Sequence, residues 1–179
     1  MLVIACNTAT AVALESLQKN MPFPVLGVIN AGARAAIKAT KKHEIAVLAT
    51  EGTIKSAAYE RAVLSLSTKT KVIPLACPTF VPLVESGEYE GQFSYDLVRK
   101  GLEPIAHENF DTVILGCTHY PIIQKQIEAA VGEGVHVVSA AEETARDAEA
   151  LLAYTNKLRV VDEPPAHKFY ASGSVPIFR

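Results

Sequence analysis

LVIACNTATAVALE, residues 2–15, joins an apolar run to a helical pattern through a cysteine. Leu2 to Ala5 shows no polar alternation and reads as a strand covered on both faces. Cys6, Asn7 and Thr8 stand where that strand stops, and the alanine-rich run behind them reads as helix. VILGCTHYPIIQKQIE, residues 113–128, repeats the order as strand, Cys117, Thr118, His119 and helix. A unit that passes from buried strand to helix, used twice, predicts an α/β fold with mostly parallel sheet.

The chain between and around these stretches continues the alternation. Strands are predicted at Leu2–Ala5, Val25–Ile29, Ile45–Ala49, Val72–Leu75, Thr112–Leu115 and Val135–Val138, all rich in Val, Ile and Leu. Helices are predicted over Ala31–Lys41 and Thr53–Leu66. A further helical face carries Phe93, Leu97, Gly101 and Ile105, with Val98 and Leu102 beside it. Ile123, Ile127 and Val131 share another face. Ser139 with Glu142 has the spacing of a capping box, opening a helix through Leu151. Asp162-Glu-Pro-Pro165 reads as a turn. The chain is expected to cross between two lobes near Ile29–Ala31 and Ser139–Ala141.

Composition narrows the function. The 179 residues are 49% hydrophobic and 20% charged with a net charge of −2, a globular balance. There is no tryptophan and no basic stripe interleaved with aromatics, which argues against nucleic acid. No apolar run reaches membrane-span length, and the N-terminus lacks a basic region and a cleavage site. Three cysteines without a CxxC pattern suit free thiols in a reducing cytoplasm.

Beyond the carboxyl ends of parallel strands is where open α/β folds bind ligands. A helix N-terminus there presents free N–H groups, favours anions and lowers the pKa of a neighbouring thiol. Two thiols so placed suit a redox pair, a metal or an acid/base pair. Cys117 and His119 alone are too few for a metal. As acid and base, one thiolate takes a proton from carbon and the other thiol returns one to the opposite face, inverting a stereocentre. A non-catalytic α/β binding module and a thiol hydrolase using Cys117 with His119 remain as rival readings.

ACNTATAVALE and ILGCTHYP resemble the aspartate/glutamate racemase family, and specifically its glutamate racemases. VLGVINAGARAAI, ATEGTIKSAAY, ACPTFVPLVESG and HKFYASGS are similar to further segments of the same family. Relatives acting on aspartate usually show GCTE, so His119 points to glutamate. The resemblance implies a two-lobe fold and cofactor-independent interconversion of L- and D-glutamate, which supplies D-glutamate for peptidoglycan. It makes Cys6 and Cys117 the acid/base thiols, with His119 assisting Cys117 and Glu85 helping from nearby. Asn7, Thr8, Thr118 and His119 are then substrate-binding, and Thr50 and Thr53 match threonines that line the pocket. No metal and no cofactor are implied. Expected partners are L- or D-glutamate, with neither nucleic acid nor membrane, and a homodimer is left open. Racemisation of another acidic amino acid is the near alternative.

Family members begin with a strand carrying an Asp-Ser pair and later carry a Pro-Tyr-Gly loop, and these 179 residues contain neither. The expectation is therefore a fragment, ending at Ile177-Phe-Arg179, with weak activity at most. Residues 32–139 are expected to form a complete α/β lobe, and 1–31 with 140–179 an incomplete one. Cys77, followed by Pro78, reads as structural. His43, His107, His136 and His167 have no local partner pattern. Arg34 and Lys55 read as an exposed helix face, and Ser-Gly-Ser at 172–174 reads as a turn.

Overall fold

The computed structural model describes residues 1–160 and 163–173. The expected turn at 162–165 and the Ser-Gly-Ser at 172–174 therefore fall partly outside the described residues, and Ile177–Arg179 wholly outside. In chain order the elements are β1 (Leu2–Ile4), α1 (Asn7–Asn20), β2 (Val25–Gly27), α2 (Ile29–Ala39), β3 (Glu44–Ala49), α3 (Glu51–Lys55), α4 (Ala58–Leu66) and β4 (Lys71–Ala76). They continue as α5 (Phe80–Glu85), α6 (Gln92–Leu102), β5 (Thr112–Gly116), α7 (Gln124–Val131), β6 (His136–Ser139) and α8 (Ala141–Tyr154). Short 3₁₀ turns occupy Glu103–Ile105 and Tyr120–Ile123. No helix among the described residues is long and apolar enough to cross a membrane.

All pairing is parallel. One sheet has the order β4-β3-β5-β6, and β1 with β2 forms a separate pair in the register Leu2–Val25 to Ile4–Gly27. The absence of polar alternation in β3 has a direct cause. Ile45, Val47 and Ala49 face a core shared with Ala33, Ala36, Ala62 and Val63 of α2 and α4. Ala46 and Leu48 face the opposite core, built with Phe80, Val98, Tyr120 and Ile127. Both faces are covered, so both sets are apolar. Each fully buried Val, Leu or Ile stabilises the sheet by about 1.5–3 kcal/mol. Pro74 lies opposite Val47 in β4, where an edge strand tolerates a missing N–H.

Several expected elements are corrected. The second strand stops at Gly27, and Ile29 opens α2, because the Val28 N–H turns to Thr10 Oγ1 at 3.4 Å. The helix expected over Thr53–Leu66 is two helices. Ala57 between them sits in the left-handed region at φ 51°. Ser56 secures the break, donating to Thr53 O at 2.6 Å and accepting from Ala58 N at 3.2 Å. In α6 the buried stripe is Ser94, Val98 and Leu102, whereas Phe93 is 62% exposed. Gly101 faces inward because a Cβ there would lie 2.6 Å from the Phe80 ring. No capping box forms at α8: Ser139 Oγ accepts from Ala141 N at 3.3 Å, and Glu142 pairs with Arg146 instead.

Arg34 does more than occupy an exposed face. It pairs with Asp147, and Lys38 reaches Glu143 at 3.1 Å, so α2 and α8 are held together by charge. Lys55 bonds Glu51 within its own helix. Cys77 is buried as expected, and burial pushes its thiol up to about 12.

Candidate active site

β1 delivers Cys6 to the start of α1, where it is the N-cap. Its backbone is extended (φ −83°, ψ 128°), and its sulfur accepts from Ala9 N at 3.5 Å. Thr10 locks this corner from inside the helix, with its hydroxyl donating to Ile4 O at 3.0 Å. Cys6 itself is exposed. Asn7, next in the chain, is only 5% exposed, and its Oδ1 accepts a hydrogen bond from Tyr59 Oη at 2.6 Å.

Thr8 reaches across to the four-stranded sheet. Its hydroxyl lies 2.8 Å from Thr50 Oγ1 and 3.0 Å from Thr53 Oγ1, and those two are 3.1 Å apart. Thr50 follows β3 as the N-cap of α3. Three hydroxyls from two strand-to-helix corners thus meet beside Cys6, a cluster able to donate and accept toward a polar ligand.

Cys117 follows β5 but does not stand at the mouth of an α-helix. A 3₁₀ turn with Pro121 as its second residue comes first, Tyr120 N donates to Cys117 O at 3.2 Å, and α7 begins at Gln124. The expected thiol acidity is also reversed here. Burial pushes the Cys117 thiol above its ordinary value. The N–H of His119 pulls it down less strongly, and charge on Cys6 pushes it up again.

His119 joins Cys117 to Glu85. Its Nδ1 lies 3.7 Å from Cys117 Sγ and 3.5 Å from Thr118 Oγ1, and its Nε2 lies 3.2 Å from Glu85 Oε1. Glu85 ends α5, so a carboxylate, an imidazole and a thiol from two elements form one line. A cavity of about 380 Å3 is bounded by Asn7, Cys117, Thr118, Ser139 and Thr144 together with alanine and valine walls. Cys6 lies between two wall residues, Ala5 and Asn7, without itself facing this cavity. Among the described residues no group of three or more His, Cys, Asp or Glu side chains is arranged for a metal.

All nine side chains singled out in the sequence fall on these strand-end corners and α5. Tyr59 is the addition. Its bond to Asn7 spans 52 residues, so no local spacing signals it. Gly32 and Gly116, which border its ring, are the available clue.

The family described as Asp/Glu/Hydantoin racemase matches residues 1–148. A glutamate racemase from Lysinibacillus sphaericus is 74% identical over 179 residues, covering all of this chain and 68% of the relative. The crystal structure of a glutamate racemase isoform from Bacillus anthracis superposes with a TM-score of 0.93 at 44% identity, covering 99% of this chain and 66% of that one. A Francisella tularensis glutamate racemase, solved in complex with D-glutamate, gives 0.83 at 29% identity over 90% of this chain and 60% of that one. The chain thus spans about two thirds of the length of such relatives. With a family match over residues 1–148 and a relative 74% identical along its whole length, the chain belongs to the Asp/Glu/Hydantoin racemase family.

Proposed function

We propose that this chain carries the two-thiol machinery of a glutamate racemase. The observation that carries the reading is the line of Cys117, His119 and Glu85, with a second strand-end cysteine, Cys6, capping α1 after β1. The Cys6 or Cys117 thiolate takes the α-proton from one face of glutamate, becoming a thiol. The opposing thiol gives its proton to the other face, becoming a thiolate, so composition is unchanged and chirality inverts. His119 moves protons to and from Cys117, with Glu85 orienting its imidazole. Thr8, Thr50, Thr53, Asn7 and Thr118 offer hydrogen bonds to substrate carboxylates as charge develops on the α-carbon. In this reading residues 32–139 make one lobe, 1–31 with 140–179 belong to the other, and the free thiols suit the cytoplasm.

The test is circular dichroism of L-glutamate incubated with the chain and with Cys6→Ser and Cys117→Ser. A slow loss of ellipticity with the chain and none with either variant is the expected result. Racemisation surviving either substitution overturns the two-thiol mechanism. The reach of His119 to the Cys117 sulfur equally suits a thiol hydrolase, which a measurement of total glutamate beside the ellipticity separates, since hydrolysis consumes substrate and racemisation does not.

A further inference from the structure

We propose that Tyr59 is a positioning residue: it fixes the amide of Asn7 so that both Nδ2 hydrogens face the ligand between the two cysteine loops. This rests on reading Asn7 as substrate-binding. Tyr59 is the second residue of α4 and is 3% exposed. Its ring is seated between two glycines. A Cβ at Gly32 would lie 2.9 Å from Oη and 3.1 Å from Cε1, and one at Gly116 would lie 3.2 Å from Cε2. Any larger residue at either position displaces the ring. Gly116 directly precedes Cys117, and Asn7 directly follows Cys6, so one rigid side chain connects the two corners.

The polarity of the bond follows from counting donors. The Tyr59 hydroxyl has Asn7 Oδ1 as its hydrogen-bond partner at 2.6 Å among the described residues. With Asn7 reversed, the phenol would accept from Nδ2, and its own proton would have no acceptor in a buried place. Burial also holds the phenol far above its ordinary pKa, so it stays a donor. Asn7 Oδ1 is thereby occupied. The two Nδ2 hydrogens, which no side chain or carbonyl among the described residues accepts, belong to a wall of the cavity that Cys117 and Thr118 share. An amide locked this way offers donors to a carboxylate. A reversed one offers an oxygen and repels it.

Tyr59→Phe keeps the ring and removes the donor. The expected result is a rise in KM for glutamate of about tenfold, the size of one buried hydrogen bond, with kcat changed far less. The order parameter of the Asn7 side-chain Nδ2, read by ¹⁵N relaxation, falls in the variant, and in an Asn7→Ala background Tyr59→Phe leaves KM unmoved. An unchanged KM together with an unchanged Asn7 order parameter overturns the proposal. Wild-type chain that neither binds nor racemises glutamate, yet loses Asn7 order on Tyr59→Phe, sinks the glutamate reading and leaves the positioning role standing. Should Tyr59→Phe not fold, the wild type decides: an Asn7 amide with an order parameter below about 0.6 overturns the proposal, and a rigid one upholds it.

Discussion

Glu85 and Asp111 are both carboxylates in hydrogen bonds, and exposure separates what each is worth. The Glu85 side chain is 66% exposed where it meets His119, so water shares the interaction. Glu85→Gln should lower kcat by no more than about fivefold and leave KM alone, against complete loss for Cys117→Ser. Burial keeps Cys117 largely protonated at neutral pH. In the direction where Cys117 is proposed as the base, kcat/KM should therefore still be climbing with pH above neutrality, and a flat profile would show that its thiolate is not needed. Asp111 is 7% exposed. Burial alone would raise it, but Thr40, the N–H groups of Lys41 and Lys42, and Thr112 outweigh that and hold its pKa at about 2. A folded value below the unfolded one means stability present above about pH 4 and lost as pH falls toward 2. The stabilisation is about 2 kcal/mol. Urea midpoints should drop over that interval in the wild type, and the drop should be smaller in Asp111→Ala.

At the scale of elements, the α3–α4 break is the feature most open to test. Ala57 adopts φ 51°, which costs an L-residue about 1–2 kcal/mol, partly offset in glycine by its looser unfolded chain. Ala57→Gly should therefore raise stability by about 0.5 kcal/mol in urea melts. Gly116→Ala should do the opposite, because its Cβ would lie 2.8 Å from Leu48 O. Strands were legible because burial on both faces leaves unbroken Val, Ile and Leu runs, and the two cysteine corners were legible because small polar residues interrupt those runs. The break at Ala57 was not, since alanine favours helix and the Ser56 hydroxyl that holds the break bonds backbone groups no periodicity reveals. Nor was the turn after Cys117, where Tyr120 and Pro121 start a 3₁₀ segment inside an apolar pattern that continues smoothly into α7. The threonine cluster and the Tyr59–Asn7 bond join residues more than 40 positions apart, beyond any periodicity.

Across the whole molecule the two cysteines stand on unequal foundations. Cys117 follows β5, which has a neighbour on each side and five buried residues. Cys6 follows β1, which pairs only with β2 and leaves Leu2 and Val3 more than a third exposed. A two-stranded pair is marginal by itself, so the half of the site on residues 2–27 should open locally while β3 and β5 open only with the global fold. Hydrogen exchange read by mass spectrometry should find fast exchange in β1 and β2 and slow exchange in β3 and β5. Catalytic geometry is sensitive to this, because a displacement of about 1 Å can cost about 100-fold in rate. A ligand held from both sides changes the balance. On the proposed reading, D-glutamate bonded to Asn7 and Thr8 on one side and Thr118 on the other would link the weaker half to the stronger, since binding stabilises whatever state it favours. Adding D-glutamate should slow exchange in residues 2–20 and leave β3 unchanged. Protection confined to residues 112–120 would mean that the ligand rests on the Cys117 corner alone, and that Cys6 does not share its site.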